Sequence, residues 1–350
     1  QHLTRRLRVG VAGLGRMGRY HAENLAWRTR NIELVRVMDT MEAAAHTAGE
    51  ELDVAWGTSF EHLVNDPGIE AVIITAPTST HAELVIQAAR EGKHIFCEKP
   101  ISTDIESTRG AIDAARTAGV RLQVGFHRRF DPDWASVANR IKSGDLGRVY
   151  LFRTSLRDMS GPPLEYLREA GSFFVDTTIH DFDAARWMVG EISDVSAMGA
   201  ALSDPAYAQN SQIDNAVVTV RFTNGALGVI DNSRVAGYGY ECSTEILGSR
   251  ATARIGYHRR VNVNWLTAGS DAVDWVPNFI ERYPAAYLLE MEDFAESVLH
   301  DRPVAVGGED ALAAFTLCLA AEKSFQEGRP VHLEHEQTAH GNLYSTDFAD

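Results

Sequence analysis

The sequence predicts an α/β protein of two domains. The first carries a doubly wound parallel sheet; the second is α+β, with a large, mostly antiparallel open sheet. Three observations predict it. A glycine-rich loop, Gly13-Leu14-Gly15-Arg16-Met17-Gly18, joins an apolar strand to a helix. Short apolar strands then alternate with helical segments as far as Gly125. Beyond that point the alternation stops and strand-rich segments take over. Alternation of this kind builds βαβ units, and runs of strands with flanking helices build α+β domains. The expected domains are residues 1–126 and 127–350, which suits a 350-residue chain at about 150 residues per domain.

Arg8-Val9-Gly10-Val11-Ala12 forms the first strand, and Tyr20 to Trp27 continue the helix after the glycines. A G-x-G-x-x-G pattern is weak alone, but strand before and helix after supply its Rossmann context. The first glycine permits a tight turn, the second lets a pyrophosphate approach the backbone, and the third allows close helix–strand packing. The helix N-terminus then offers unpaired N–H groups to the phosphates. Glu33 to Met38 forms a second strand ending at Asp39, where a carboxylate can accept both adenosine ribose hydroxyls and repel a 2′-phosphate. Thr40 follows with no basic residue directly after it, so NAD is preferred to NADP, with Arg16 the residue that could admit NADP. Asp39 also suits an N-cap of the next helix.

Ala71 to Thr75 is a buried parallel strand ended by Ala76-Pro77, and His81 to Arg90 is a helix. His94-Ile95-Phe96 leads to Cys97-Glu98-Lys99-Pro100, Ser107 to Ala118 is a helix, and Arg121 to Gly125 closes the pattern. Ligands of such sheets sit beyond the carboxyl ends of the strands. The cofactor contacts expected there are Gly13, Gly15, Arg16, Met17, Gly18, Asp39, Thr40, Ala76, Pro77, Thr80, His81, Glu98 and Lys99. The chain has only four lysines, Lys93, Lys99, Lys142 and Lys323. Arginine cannot readily release a proton, so Lys99 stands out as a chemical group against the alternative of a strand-end turn.

In the second domain, Asp133 to Ser143 is helical and Val149 to Ser155 starts a strand. Val217 to Phe222, Asn224-Gly225 and Ala226 to Ile230 form a β-hairpin. Glu245 to Leu247, Thr252 to Ile255 and Val261 to Trp265 are expected to extend its sheet. Tyr287 to Leu299 and Asp310 to Phe325 are amphipathic helices expected to pack back on the domains. The outer face of such a sheet needs cover, and a second subunit is the economical candidate. Gly171 to His180 opens a helix running to Met188, with Asp176 and His180 on one face. A carboxylate beside an imidazole can orient a general base, although a surface pair, an N-cap or a metal site would use the same residues. No compact metal-ligand set accompanies them, and no metal is expected.

A formal charge of −15 argues against nucleic acid or an anionic membrane surface as partner. Three dispersed cysteines, Cys97, Cys242 and Cys318, fit a reducing cytoplasm rather than a disulfide framework. The glycines after Arg5-Arg6-Leu7-Arg8 interrupt any signal-peptide core, and no stretch reaches the roughly 18 apolar residues of a membrane span.

Taken in order, the glycine loop, Glu98-Lys99-Pro100 and the Gly171, Asp176, His180 pattern make the chain resemble the Gfo/Idh/MocA oxidoreductases over nearly its whole length. Arg128-Arg129-Phe130-Asp131-Pro132, Arg157-Asp158, Asp231-Asn232-Ser233-Arg234, Tyr238-Gly239-Tyr240, and Ala286-Tyr287 with Glu290 look like the inositol 2-dehydrogenase branch. The resemblance implies a catalytic set of Lys99, Asp176 and His180, and a Lys99–Pro100 bond that is often cis. It also implies dimers or tetramers, here a homotetramer or homodimer, formed through the open sheet. The expected reaction is NAD-dependent oxidation of a ring alcohol, myo-inositol first, in the cytoplasm. His127, Arg128, Asp158, Thr177 and Tyr240, with Lys99, Asp176 and His180, would bind the substrate. His127 stands where relatives often carry Met or Asn. A scyllo-inositol or pyranose dehydrogenase is the alternative, and a non-catalytic NAD-binding regulator a remoter one.

Overall fold

The computed structural model describes residues 5–256, 259–338, 341–345 and 348, and divides into two compact units. The first comprises residues 1–127 and 285–312; the second comprises 128–284 and 313–350.

The first unit runs β1 (Leu7–Ala12), α1 (Arg16–Trp27), β2 (Ile32–Met38), α2 (Glu42–Leu52), β3 (Ala55–Gly57), α3 (Phe60–Val64), β4 (Ala71–Ile74), α4 (Thr78–Arg90), β5 (His94–Cys97), α5 (Ile105–Ala118) and β6 (Leu122–Val124). The strands form one sheet in the order β3-β2-β1-β4-β5-β6, every pair parallel. This is the doubly wound arrangement, with its reversal of direction at β1 beside β4. Strands buried on both faces must be apolar throughout, and Ala71 to Ile74 are fully buried. Helix α4 begins three residues before the expected His81, with Pro77 at its N-cap.

A helix from far along the chain, α11 (Pro284–Leu299), supplies Met291, Phe294 and Ala295 to this core. They join Leu7, Val9 and Val11 of β1 and Phe96 of β5. The Phe96 and Phe294 rings meet edge-on, centroids 6.1 Å apart.

The second unit contains α6 (Pro132–Lys142), β7 (Val149–Arg157), α7 (Leu164–Ala170), α8 (Ile179–Val189), β8 (Ile192–Ala200), α9 (Pro205–Gln209), β9 (Asn215–Phe222), β10 (Leu227–Ser233), β11 (Glu241–Gly248), β12 (Thr252–Ile255), β13 (Arg259–Thr267), β14 (Ser270–Trp275) and α10 (Phe279–Arg282). After α11 come α12 (Gly308–Glu327), which passes from the first unit to the second, and β15 (Val331–His332), β16 (His335–Thr338) and β17 (Gly341–Tyr344). The large sheet has the order β12-β11-β7-β10-β9-β8-β15 and is antiparallel except where β7 meets β10. The Asn224-Gly225 hairpin is present, with Leu227 opposite Arg221.

One expected strand pairing fails. Val261 to Trp265 do not extend this sheet; β13 pairs with β14 as a separate two-stranded ribbon. Every residue of β13 is exposed, so no buried face ties it to the sheet, and the Ala268-Gly269 turn directs it onto the next segment instead.

Strand β9 alternates strictly, with Val218, Val220 and Phe222 buried and Val217, Thr219 and Arg221 exposed. Met198, Val217 and Leu227 therefore lie on an open sheet face, beside a shallow depression of about 500 Å³ lined in part by Arg157, Asp231 and Tyr238. Among the described residues, no helix is long and apolar enough to cross a membrane.

Candidate functional site

The loops after β1, β2, β4 and β5 gather at one edge of the parallel sheet, because parallel strands all end on the same side. Gly13 has φ of +94°, and a Cβ there would lie 2.5 Å from the Ala76 amide nitrogen. A Cβ on Gly18 would lie 1.8 Å from the Gly13 carbonyl oxygen, so this glycine lets α1 close against the loop. A Cβ on Gly15 would meet nothing within 4 Å. Internal packing therefore demands the first and third glycines, while the second faces open space where a pyrophosphate would come. The first turn of α1 has no side-chain cap, which keeps its N–H groups for such a ligand. Arg16 and Met17 open that turn, Arg16 exposed and Met17 half-buried.

Asp39 ends β2 and ties the glycine loop in place. Its carboxylate accepts from the Leu14 amide at 2.7 Å and from the Met41 amide at 2.8 Å. Each oxygen keeps a second acceptor direction for a ribose hydroxyl. Thr40 is exposed beside it. The residues fit a dinucleotide on backbone grounds: a cradle that a Cβ would not obstruct, an uncapped helix end and a carboxylate at the neighbouring strand end.

Past β4, the Thr80 hydroxyl donates to the Pro77 carbonyl at 2.8 Å, so it closes the helix start. His81 is buried, with Nδ1 2.8 Å from the Pro100 carbonyl oxygen and Nε2 2.7 Å from that of Ala76. It joins the β4 and β5 turns, a positioning task beyond the contact role expected of it. The Lys99–Pro100 peptide is cis. Glu98 accepts from His21 Nε2 at 2.8 Å and from the Lys99 amide at 3.3 Å. His127 is buried and stacks on Tyr287 at 4.6 Å.

In the second unit, Asp176 lies in a π-helical turn (Phe174–Thr178) that leads into α8, not in the regular α-helix expected. Helical spacing alone therefore does not stack Asp176 over His180. Such wide turns recur at functional sites. The Asp176 carboxylate accepts from Arg234 Nη1 at 2.8 Å and from the Tyr166 hydroxyl at 3.0 Å. Neither partner was given a role by the sequence; only their proximity in the fold reveals them.

Below this turn, Asp181 is fully buried and accepts from Arg128 Nη1 at 2.6 Å and Asn232 Nδ2 at 2.8 Å. Thr178 donates to Asn232 at 2.7 Å. The network bolts the π-turn to β10. It also commits the buried Arg128, expected to hold substrate, to an ion pair. Thr177 is buried within the turn, and Asp158 follows β7, its amide donating to the Ser233 carbonyl. Tyr240 is buried edge-on to Tyr283, and burial pushes its hydroxyl well above the ordinary phenol range.

Residues 7–126 match the family profile described as oxidoreductase family, NAD-binding Rossmann fold, and residues 138–333 match its C-terminal alpha/beta domain. The chain is 37% identical over 334 residues to a scyllo-inositol 2-dehydrogenase (NAD(+)) of Bacillus subtilis, covering 95% of this chain and 98% of that one. It is 40% identical over 331 residues to a myo-inositol 2-dehydrogenase of Thermotoga maritima, covering 94% and 99%. The crystal structure of a scyllo-inositol dehydrogenase from Lactobacillus casei, with bound NAD(H) and scyllo-inositol, superposes with a TM-score of 0.88 at 28% identity, covering 94% and 99%. On the strength of these matches and of a glycine-loop sheet carrying Lys99, the chain belongs to the Gfo/Idh/MocA family of NAD-binding oxidoreductases.

Proposed function

We propose that this chain is an inositol dehydrogenase that uses NAD to oxidise a ring secondary alcohol to a ketone, with myo-inositol to its 2-keto product as first choice. The observation that carries it is near-full-length similarity to relatives named myo- and scyllo-inositol 2-dehydrogenase, on a chain whose glycine cradle and Asp39 carboxylate suit NAD.

The catalytic set is Lys99, Asp176 and His180. Bound NAD supplies the acceptor for the hydride leaving the alcohol carbon. His180 takes the hydroxyl proton as general base. Lys99 donates a hydrogen bond to the reacting oxygen and stabilises the negative charge it develops. Asp176, itself held by Arg234 and Tyr166, orients the base. His127, Asp158, Thr177 and Tyr240 hold further hydroxyls, with Arg128 acting through Asp181. The cofactor set is Gly13, Gly15, Arg16, Met17, Gly18, Asp39, Thr40, Ala76, Pro77 and Glu98, with Thr80 and His81 shaping the β4 turn. The open sheet face pairs copies of the chain as a homodimer or homotetramer, and the enzyme works in the cytoplasm.

A second reading, scyllo-inositol as substrate, draws on the Bacillus relative's name. Initial rates at the NADH absorbance band decide it, with NAD or NADP against myo-, scyllo- and D-chiro-inositol, glucose and xylose. Strong NAD reduction with one inositol is expected. NAD binding without turnover on any polyol would point to a regulator instead.

A further inference from the structure

The first unit holds three titratable side chains that the reaction above does not use together. His21 of α1 and Glu290 of α11 are fully buried, and Glu98 at the end of β5 is nearly so on its side chain. One ligand-capable atom from each lies within 4.8 Å of the others. His21 Nε2 and Glu98 Oε1 are 2.8 Å apart. Neither carboxylate oxygen of Glu290 has a hydrogen-bond partner among the described residues, and neither has His21 Nδ1.

The walls are apolar. Phe96 and Tyr287 both meet the His21 ring edge-on, at 5.7 and 5.8 Å. A Cβ on Gly125 would come within 2.8 Å of Glu98 Oε2, so the carboxylate is packed against bare backbone. The titratable groups around the cluster are Tyr20 and His21 from α1, Cys97 and Glu98 from β5 and its turn, His127 after β6, and Tyr287 from α11 itself. Lys99 follows Glu98 on the same turn.

Two carboxylates this close, out of water, cannot both stay ionised without a proton or a cation between them. Burial, and then the Glu98 carboxylate, push the Glu290 carboxyl well above the ordinary range. A protonated Glu290 becomes a donor facing the Glu98 carboxylate, which removes the like charge and gives a role to one of its two orphaned oxygens.

We propose that His21, Glu98 and Glu290 form a proton-sharing triad in which Glu290 is a positioning residue: it retains its proton at neutral pH, holds Glu98 and thereby fixes the Lys99 turn. The proposal rests on reading that turn as part of the cofactor and substrate site. No bond other than the shared hydrogen bond is made or broken.

The full-length chain, Glu290→Gln and Glu290→Leu test it. The wild-type minus E290Q infrared difference spectrum, at about pH 7, is expected to show the carbonyl stretch of a protonated carboxylic acid. E290Q, which keeps a neutral donor, is expected to hold the NAD dissociation constant and kcat within about twofold. E290L removes the donor and leaves Glu98 with His21 as its side-chain partner. It is expected to melt no lower than the wild type, yet lose about tenfold to a hundredfold in NAD affinity and kcat, the scale of a misplaced site.

Lack of the infrared band, wild-type behaviour of E290L, or impairment of E290Q equal to that of E290L would each overturn the triad. So would one equivalent of divalent metal in the purified wild type that E290Q lacks, because a cation would then occupy the site. If the wild type turns over no inositol, the functional reading fails, but the infrared band and the NAD titration still decide the triad.

Discussion

At the scale of single residues, charge in buried places decides the outcome. Lys99→Ala is expected to lower kcat by about 10²–10⁴-fold, the range for positioned acid–base or oxyanion groups, read from steady-state rates with inositol. Near-wild-type turnover would remove it from the mechanism. Arg234 is 1% exposed on its side chain and pairs with Asp176 at 2.8 Å. Removing one partner of such a pair strands the other, so Arg234→Met should cost about 3 kcal/mol or more in a urea titration. Glu290 gives a pH signature. Its carboxyl ionises in the ordinary carboxylate range when unfolded and only at higher pH when folded. The unfolded chain thus binds fewer protons in that interval, and the stability owed to this group is full in acid and declines as pH rises towards the folded value. Thermal scans from acid to neutral pH should show a shallower decline for E290Q than for the wild type. Equal slopes would place the ionisation elsewhere.

At the scale of elements, the glycine loop was legible because its geometry is local. A strand, a turn that only glycine fits and a helix occupy consecutive residues, so their spacing declares them. The structure adds a distinction that the motif lacks. Gly15→Ala should fold and melt like the wild type, since its Cβ meets nothing within 4 Å. It should nevertheless weaken NAD binding measured by calorimetry, because the methyl stands where the pyrophosphate approaches. Gly18→Ala, whose Cβ would overlap the Gly13 carbonyl, should fail in folding instead. Unchanged NAD affinity in Gly15→Ala would mean that the phosphates lie elsewhere. The π-turn at Asp176 was not legible. Helical spacing does not separate an α-helical from a π-helical turn, and the wider one here adjoins the buried network of Asp181, Arg128, Asn232 and Thr178, assembled from segments far apart in sequence. The same non-locality hid the hold of Arg234 and Tyr166 on Asp176. Strand β13 shows the converse error, in which strand-forming residues gave the element but not its neighbour.

At the scale of the whole molecule, both sheets followed from pattern: apolar runs alternating with helices for the parallel one, and consecutive strands with the Asn224-Gly225 hairpin for the other. The in-and-out alternation along β9 also leaves a face. Met198, Val217 and Leu227 lie exposed on the large sheet, an arrangement expected to be covered by a second copy. Val217→Glu combined with Met198→Glu should shift the chain to a smaller species by sedimentation while leaving its circular dichroism intact. An unchanged sedimentation coefficient would remove this face as the interface.

The core of the first unit has a consequence for the order in which the protein can be made. Met291, Phe294 and Ala295 pack with Leu7, Val11 and Phe96, yet more than half of the chain separates them in sequence. A nascent chain that has emerged as far as β6 has every strand of its sheet but not the helix that covers Phe96. Domains otherwise tend to fold from the N-terminus as they leave the ribosome. Here the first unit has to wait for the second to be translated, carrying an unfinished apolar surface meanwhile, and that interval is where a chaperone would engage the growing polypeptide.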